Sequence, residues 1–407
     1  MLHEPRLVTF CTSMLLNVAA RASASPLGQK TLRPLRLLRF ALLPVEERRR
    51  REAQWKYDRV RGEGARPASR RTSITLGIIK DFMQGHAHYE NACLELGVPY
   101  KLIDIAASDW IQRIQDSGCA GFLVRPSPVS LVCKRLFDDR LRVLVDDLGK
   151  VIFPSYQSLW LYESKTRIAD WLSVHAVPHP RTWVFWDRDE AMRFAETAEL
   201  PMMFKTDLGA ASRGVELVRS RRRACRLVAT CFGKGYLGQL REPQDREWGW
   251  VLFQQYIPDA KEWKMVRVGD SYFGHRKLKS GDFHSGSQLV AWDRPPDALL
   301  DFVRGVTELG GFLSMDTDVL EDTSGNYYVN ELHPMFGQNT EHQMIVDGRP
   351  GRFVRDVENG KWCFEEGSFC RNKCFNLRVQ TFLALVAQRE SGGQPEGDDG
   401  PGIPVSP

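Results

Sequence analysis

The chain of 407 residues has no apolar run approaching the roughly 20 residues that a membrane-spanning helix requires. Its nine cysteines form no paired framework, which is typical of a protein that keeps its thiols reduced. Cys363, Cys370 and Cys374 match no standard zinc spacing, and no internal repeat is present. These absences argue against a membrane protein and against a disulfide-built secreted domain. They favour a cytoplasmic protein of about two or three domains.

Acidic residues are scarce at the start of the chain. Residues 1–72 hold 16 Lys and Arg against 6 Asp and Glu, whereas residues 73–407 hold 40 against 45. The body is therefore mildly acidic, and the overall net charge of +5 does not indicate a nucleic-acid partner. We predict that residues 1–72 are a basic, disordered extension. The alternatives are a start assigned too far upstream and a transit peptide, which would direct the protein to the mitochondrial matrix.

Strand and helix patterns alternate after residue 72. Four short strand patterns are separated by helical ones, such as the run from about His88 to Leu96. This alternation predicts a small, Rossmann-like parallel α/β domain at residues 73–155, with ligand contacts at the carboxyl ends of its strands. Asp81, Asp104 and Arg125 fall at such ends. Arg125 is the candidate contact for an anionic substrate, and a surface ion pair is the alternative.

A small-residue turn follows the buried strand pattern LPMMFK, which ends at Lys205. The glycines of this turn, Gly209 to Gly214, allow backbone N–H groups to approach an anion closely, as phosphate-binding loops require. A simple hairpin turn is the alternative.

Basic side chains recur on the next two strand patterns. Phe253 to Ile257 reads as a strand leading into a loop, whose backbone has free hydrogen-bonding groups for a planar base. The runs that follow alternate like paired strands and bring Lys264, Arg276 and Lys277 near one another. A polyphosphate needs such charge-assisted donors. A solvated basic face is the alternative.

An acidic β-hairpin is predicted at residues 313–339. If residues 322–325 form its loop, Glu331 lies opposite Asp316 and diagonal to Asp318. Side chains alternate along a strand, so all three carboxylates share one face, and three like charges on one face need a cation. A solvated hairpin edge is the alternative.

Taken in order, these patterns resemble the ATP-grasp superfamily over roughly residues 73–345. The matching motifs are YESK, which ends at Lys165, the loop Lys-x-x-x-Gly-x-x-Ser-x-Gly-Val from Lys205 to Val215, the hinge QQYI, and VNELHP. These motifs resemble those of the carboxylate-amine ligases within the superfamily. They are most similar to the ribosomal-protein glutamyl ligase and glutathione-synthetase-like branch. VNELHP is more similar to the aminoimidazole-ribonucleotide carboxylating branch. The glutamyl-ligase branch closes with Glu-x-Asn, whereas here His333 stands two residues after Glu331.

The resemblance implies an α/β chain in which two α+β subdomains clasp ATP. The ATP-grasp domain would span residues 156–345, with a flexible subdomain at about 178–255 and a C-terminal subdomain at about 256–345. A helical segment at residues 346–388 and a disordered tail at residues 389–407 would follow.

The resemblance also implies roles for individual residues. The residues implied to contact ATP are Lys165, Lys205, Gly209, Ser212, Gly214, Gln254, Gln255, Tyr256, Ile257 and Glu262. The residues implied to stabilise the transferring phosphoryl group are Arg276, Lys277, Lys264 and His284. Asp318 and Glu331 would hold Mg²⁺ or Mn²⁺, and the third ligand is left open between Asn330, Asp316 and water.

The implied activity is the ATP-dependent joining of a small-molecule carboxylate to an amine through an acyl phosphate, with release of ADP and phosphate. The alternatives are a phosphotransferase on the same fold and a non-catalytic nucleotide-binding scaffold. The identity of the carboxylate and the amine, and the oligomeric state, leave no recognisable pattern in the sequence.

Replacing either implied metal ligand tests this interpretation. We expect Glu331→Gln or Asp318→Asn to lower Mg²⁺-dependent turnover by at least about a hundredfold, because each removes a negative charge from the cation site. Each amide has nearly the shape of the carboxylate, so the far-ultraviolet circular dichroism should stay the same. Wild-type rates in both variants would remove the metal-site assignment.

Overall fold

The computed structural model describes residues 45–62, 68, 72–127, 130–209, 214–238, 243–281, 289–336 and 340–391. The chain divides into two compact units, Met1–Asp58 and Arg59–Pro407. The described residues of the first unit belong to helix α1 (Val45–Gly62), which lies inside the segment predicted to be disordered. Pairs one turn apart, such as Glu52 with Lys56, support this highly charged helix. All but three residues of the predicted C-terminal tail lie outside the described residues.

The second unit begins with a four-stranded parallel sheet, sheet 1, in the order β2-β1-β3-β4. Its strands are β1 (Leu76–Ile79), β2 (Tyr100–Ile103), β3 (Gly121–Leu123) and β4 (Ile152–Phe153). Its helices are α2 (Ala87–Leu96), α3 (Trp110–Gln115), α4 (Leu131–Arg142, continued by the π-helical turn Val143–Asp147) and α5 (Tyr156–Leu161). All strand pairs are parallel, as the alternation of strand and helix patterns predicted.

Helix α6 (Lys165–Val174) leads into a four-stranded antiparallel sheet, sheet 2, in the order β5-β8-β6-β7. Its strands and helices are β5 (Thr182–Phe185), α7 (Arg188–Thr197), β6 (Met202–Lys205), β7 (Val215–Val218), α8 (Arg221–Phe232) and β8 (Val251–Gln255). Asp187 and Ser220 cap the two helices by accepting backbone N–H bonds, which fixes where each helix begins. Both helices pack on one face of the sheet, where Phe204 and Phe253 are buried.

The largest sheet, sheet 3, has the order β13-β12-β9-β10-β15-β14, with β11 paired to β10 and β16 paired to β15. Its elements are β9 (Lys261–Val268), β10 (Ser271–Lys277), β11 (Val290–Ala291), α9 (Asp297–Leu309), β12 (Ser314–Glu321), β13 (Tyr327–His333), β14 (Ile345–Val346), β15 (Arg349–Arg355) and β16 (Trp362–Glu366). Leu299, Leu300 and Val303 of α9 pack into its core.

The segment predicted to be helical, residues 346–388, differs from that expectation. It first adds β15 and β16 to sheet 3, where Phe353 and Trp362 enter the core of that sheet. Only its last part is helical, as α10 (Phe375–Glu390). In the part of the chain that the structure describes, no helix is both long and apolar enough to cross a membrane.

Helix α10 closes sheet 1 from a distant part of the sequence. With α2 it covers one face of the sheet, and the ring of Phe382 lies 5.7 Å from the ring of Phe153. Gly121 makes this approach possible, since a Cβ there would lie 2.5 Å from Cζ of Phe382. The C-terminal helix is therefore part of the core of the parallel domain.

The acidic hairpin has a different register from the predicted one. Its loop is one residue longer, because Glu321 pairs with Tyr327, and a β-bulge then leaves Asn330 without a strand partner. Glu331 consequently lies opposite Asp318, whereas Asp316 lies opposite His333. The prediction that Glu331 faces Asp316 was wrong, because alternation in a sequence cannot reveal a bulge.

Removing the Phe382 ring tests the role of α10. We expect Phe382→Ala to lower the free energy of unfolding by about 3–5 kcal/mol, because the side chain is fully buried. Urea denaturation of the full chain measures the change. Val357→Ala is the control, since Val357 is 98% exposed and its loss should change the value by less than about 0.5 kcal/mol. Equal effects of the two substitutions would contradict this packing.

Candidate active site

Acidic and basic side chains meet on one face of sheet 3. Lys277 of β10 donates to Glu262 of β9 over 2.8 Å and also pairs with Asp318 of β12. Lys264 of β9 pairs with Asp316 of β12. Alternate residues of each strand share a face, which is why these side chains converge while the intervening ones enter the core.

Burial shapes the charges of this group. Burial alone would lower the pKa of Lys277, but the carboxylates of Asp318 and Glu262 more than offset it and raise that pKa above its usual value. Burial raises the pKa of Asp318 to about 6, although Lys277 opposes the rise. The Oδ1 atom of Asp318 is buried and has no hydrogen-bond partner. Such an oxygen is available to a cation.

Two lysine side chains from outside sheet 3 approach the carboxylate of Glu331. The Nζ atoms of Lys165, at the start of α6, and Lys205, at the end of β6, each lie 3.9 Å from its Oε1 atom. Burial would raise the pKa of Glu331, but Lys165, His333 and Lys205 hold it well below its usual value. Lys205 also donates to Asn330 Oδ1 over 2.9 Å. The bulge therefore places the side chains of Asn330 and Glu331 beside the same lysine, Lys205.

The two lysines differ in their electrostatic environment. Burial lowers the pKa of Lys205, and the nearby Lys165 adds to that effect. Burial also opposes the charge of Lys165, but Glu331, Glu163 and Asp207 together raise its pKa.

His333 joins this group, although the sequence interpretation had not included it among the ligands. Its Nε2 atom lies 2.9 Å from Oε2 of Glu331, and the ring of Tyr162 packs edge-on against its ring. Burial would lower the pKa of His333, but Glu331 raises it. Ligand atoms of Asp318, Glu331 and His333 all lie within 4.8 Å of one another, a spacing that fits one divalent cation.

Carboxylates fix the base of the small-residue turn. Both oxygens of Glu247 accept backbone N–H bonds, from Asp207 over 3.0 Å and from Leu208 over 3.2 Å. Glu163 accepts the N–H of Gly209 over 3.2 Å, and Lys165 donates to the Gly209 carbonyl over 3.0 Å. Burial raises the pKa of Glu247 to about 7. Sequence reasoning missed Glu163, Asp207 and Glu247, because nothing in their spacing distinguishes them from surface acids.

The far end of the same turn depends on glycine. Gly214 has φ of 82°, and a Cβ there would lie 2.0 Å from Oγ1 of Thr206. The Thr206 N–H donates to the Gly214 carbonyl over 2.9 Å, which closes the turn. Ser212, a predicted ATP contact, lies outside the described residues.

The predicted hinge runs past a narrow crevice. Gln254 donates to Thr182 over 3.0 Å and lines a crevice of about 10 Å³. The other residues that line it are Lys165, Ile168, Ala169, Leu172, Thr182, Lys205, Leu252 and Asn330. Gln255 and Tyr256 instead border a larger cavity of about 490 Å³ that none of the lysines lines. Ile257 lies in the loop between β8 and β9.

Two predicted basic residues stand apart from the cluster. Arg276 pairs with Asp293, because it neighbours Lys277 and adjacent strand residues point to opposite faces. Arg125 donates to Ser127 over 3.3 Å, and its nearest carboxylate oxygen, on Asp81, is 3.8 Å away. The predicted phosphate partner His284 lies outside the described residues.

A buried arginine of α10 supports the strand that carries Glu331. Arg378 is fully buried and donates to the Pro334 carbonyl over 3.2 Å and to Ser314 Oγ over 3.1 Å. Its guanidinium also lies over the rings of Phe336 and Phe375. Sequence reasoning did not single it out, since its role depends on where α10 packs.

No family model matches the sequence, and no curated protein matches it. Solved structures do resemble its fold. D-alanine–D-alanine ligase from Bacillus anthracis, complexed with ATP, aligns at a TM-score of 0.52 and 12% identity over 79% of this chain and 100% of that one. An ATP-grasp RimK domain protein from Sphaerobacter thermophilus aligns at 0.46 and 17% identity, over 63% and 90% of the two chains.

The biotin carboxylase domain of Hydrogenobacter thermophilus 2-oxoglutarate carboxylase aligns at a TM-score of 0.46 and 15% identity. The alignment covers 65% of this chain and 64% of that one, so the chain spans less than two thirds of that domain.

Replacing Lys277, whose ammonium group lies between the carboxylates of Asp318 and Glu262, tests the charge balance of this group of side chains. We expect Lys277→Met to lower the free energy of unfolding by about 3–5 kcal/mol at pH 8, because Asp318 and Glu262 lose their partner. The loss should shrink towards pH 5. Without the lysine the pKa values of both acids rise in the folded state, so lowering the pH neutralises them.

Urea denaturation at the two pH values measures this change. The control is Lys261→Met on the same strand, where an exposed pair with Glu321 should contribute at most about 1 kcal/mol. A pH-independent loss, or equal losses in the two variants, would contradict this charge balance.

Proposed function

Because the chain has the ATP-grasp fold, we propose that it is an ATP-dependent ligase that joins a carboxylate to an amine through an acyl phosphate. The observation that carries this proposal is the meeting of Lys165 and Lys205 with Glu331, next to Asp318. Lysines that enter from α6 and β6 and carboxylates from sheet 3 together suit a nucleotide phosphate chain with its divalent cation.

The nucleotide would bind between sheets 2 and 3. Lys165 and Lys205 would hold the phosphates, and the backbone around Gly209 and Gly214 would cover them. The backbone from Gln254 to Ile257 would contact the adenine. The crevice that Lys165, Lys205 and Gln254 line lies at this place. Sheet 2 with α7 and α8, within the flexible subdomain predicted at about residues 178–255, would move as one body to admit the nucleotide.

Glu262 would contact the ribose in this arrangement. At present its carboxylate accepts a hydrogen bond from Lys277, so the ribose hydroxyls would share that carboxylate or displace the lysine. A released Lys277 would then be free to contact the phosphate chain. The same side chain could thus neutralise Asp318 before binding and the γ-phosphate afterwards.

Asp318 and Glu331 would hold the cation. When bound, the cation would neutralise charge on the β- and γ-phosphates. Lys264 and Lys277 would lie beside the transferring phosphoryl group and lower the cost of charge that develops there. Arg276 and His284 remain predictions from the sequence, and Arg276 would need to leave Asp293 to take part.

The substrate carboxylate would approach from the side of sheet 1. Arg125 is 30% exposed and bound only weakly by Asp81, so its guanidinium can bind an anion. Burial raises the pKa of Tyr162, whose ring packs on His333, and the charge of Arg125 opposes that rise.

The reaction would then proceed in two displacements. A carboxylate oxygen attacks the γ-phosphorus and ADP leaves, and the amine next attacks the acyl carbon and phosphate leaves. The sequence predicts that the small-residue turn, whose residues 210–213 lie outside the described part of the chain, excludes water from the acyl phosphate. No protein nucleophile is required.

Ligand-dependent thermal stability tests the nucleotide site. ATP with Mg²⁺ at about a hundred times its dissociation constant should stabilise the full chain by about 2.7 kcal/mol. Lys205→Met should lose most of this shift, because it removes a phosphate contact. Lys261→Met, which removes an exposed lysine, should retain it. No shift in the wild type would overturn the nucleotide site.

Product analysis then tests the reaction class. A ligase should release phosphate only when a carboxylate and an amine are both present. Formation of a stable phosphorylated hydroxyl compound without any amine would identify a phosphotransferase instead.

A further inference from the structure

We propose that His333 is a direct ligand of the divalent cation and that the site consequently prefers Mn²⁺ to Mg²⁺. This inference rests on the proposed function and names the metal and its third ligand. The carrying observation is the donor set of Asp318, Glu331 and His333, whose ligand atoms lie within 4.8 Å of one another.

The geometry of β13 makes this donor set. In a regular strand Asn330 and Glu331 would point to opposite faces, but the bulge lets Val329 and Leu332 both enter the core. Glu331 and His333 therefore face the same side as Asp318. Ligands about 2.0–2.1 Å from one octahedral cation lie roughly 3–4 Å apart, so only a small closure of this group is needed.

The ligand atoms are oriented for a shared ion. Oε1 of Glu331 faces the two lysines, whereas Oε2 lies 2.9 Å from Nε2 of His333. The ring of Tyr162 packs edge-on against the imidazole and fixes its plane. On the facing strand, Oδ1 of Asp318 is buried and lacks any hydrogen-bond partner. An ion would satisfy that oxygen.

The chemistry of the donors selects the metal. Mg²⁺ binds oxygen ligands almost exclusively, whereas imidazole nitrogen suits transition metals. Two carboxylates with nucleotide phosphates form a hard, octahedral oxygen set, which Mn²⁺ accepts together with one nitrogen. Such an octahedral set differs from the four-coordinate, tetrahedral sites that zinc favours.

A structural role for His333 is the competing explanation. In that case the imidazole only donates a hydrogen bond that orients Glu331, and its nitrogen never contacts the metal. The two explanations differ in whether the imidazole nitrogen couples magnetically to a bound Mn²⁺ ion.

Pulsed electron paramagnetic resonance of the full chain with Mn²⁺ and ADP distinguishes them. We expect a nitrogen coupling that changes when the protein is labelled with ¹⁵N-histidine and disappears in His333→Asn. The control is His175→Asn, which replaces an exposed histidine of another region and should keep the coupling. Labelling only histidine removes any ambiguity from adenine nitrogens.

Metal affinity supplies a second measurement. His333→Asn should weaken Mn²⁺ binding by at least about tenfold, as the loss of a metal-site partner usually does. Mg²⁺ binding, measured by competition with Mn²⁺, should change much less, because asparagine offers an oxygen in nearly the same place. The variant should therefore lose its preference for Mn²⁺.

Different results would contradict the ligand assignment and the metal preference. Mn²⁺ bound without a histidine coupling, or a coupling that survives in His333→Asn, would overturn the ligand assignment. Equal affinity of the wild type for the two metals, or tighter binding of Zn²⁺ with loss of the nucleotide-dependent signal, would overturn the preference. ATP-dependent amide formation with Mg²⁺ would still stand in these cases, so the failure of this inference is distinguishable from failure of the proposed function.

Discussion

The pairing of buried carboxylates with lysines is the interaction on which the rest of the site depends. Asp318 and Glu331 face each other on neighbouring strands, and two negative charges in such a place are costly without cations. Lys277 neutralises one of them, and Lys165 and Lys205 approach the other. These lysines belong to separate elements of the chain, so the electrostatic requirement of one hairpin holds α6 and sheet 2 beside sheet 3.

Other buried contacts connect the site to parts of the chain that carry none of its charged residues. Arg378 binds the carbonyl of Pro334, just beyond the hairpin, while Phe382 of the same helix fills the core of sheet 1. One helix thus links the parallel domain to the strand that carries Glu331. Glu247 and Glu163 link the turn after Lys205 to the surrounding segments in a similar way.

Sequence patterns were informative where one local rule decides the structure. The parallel strands of sheet 1 and the end of α2 at Gly97, with φ of 67°, follow from alternation and glycine geometry. The ATP-grasp fold followed from the order of the motifs. The partners in the site depended on geometry that no pattern contains. A bulge at Asn330 shifted the register and brought in His333. Arg276 is a different case, because alternation along β10 separates it from Lys277 and is already present in the sequence. Buried acids such as Glu247 are recognisable only once the neighbouring chain is in place.

The bulge at Asn330 also separates the hairpin tip from the site. Pairing with β9 holds β12 along its whole length. The register shift at Asn330 determines that Glu331 lies opposite Asp318. The tip, from Asp322 to Asn326, is mostly exposed and stabilised by its own hydrogen bonds to Asp322. Related chains could therefore differ in the length of this tip while keeping the carboxylates in place, and a peptide inserted there would extend into solvent.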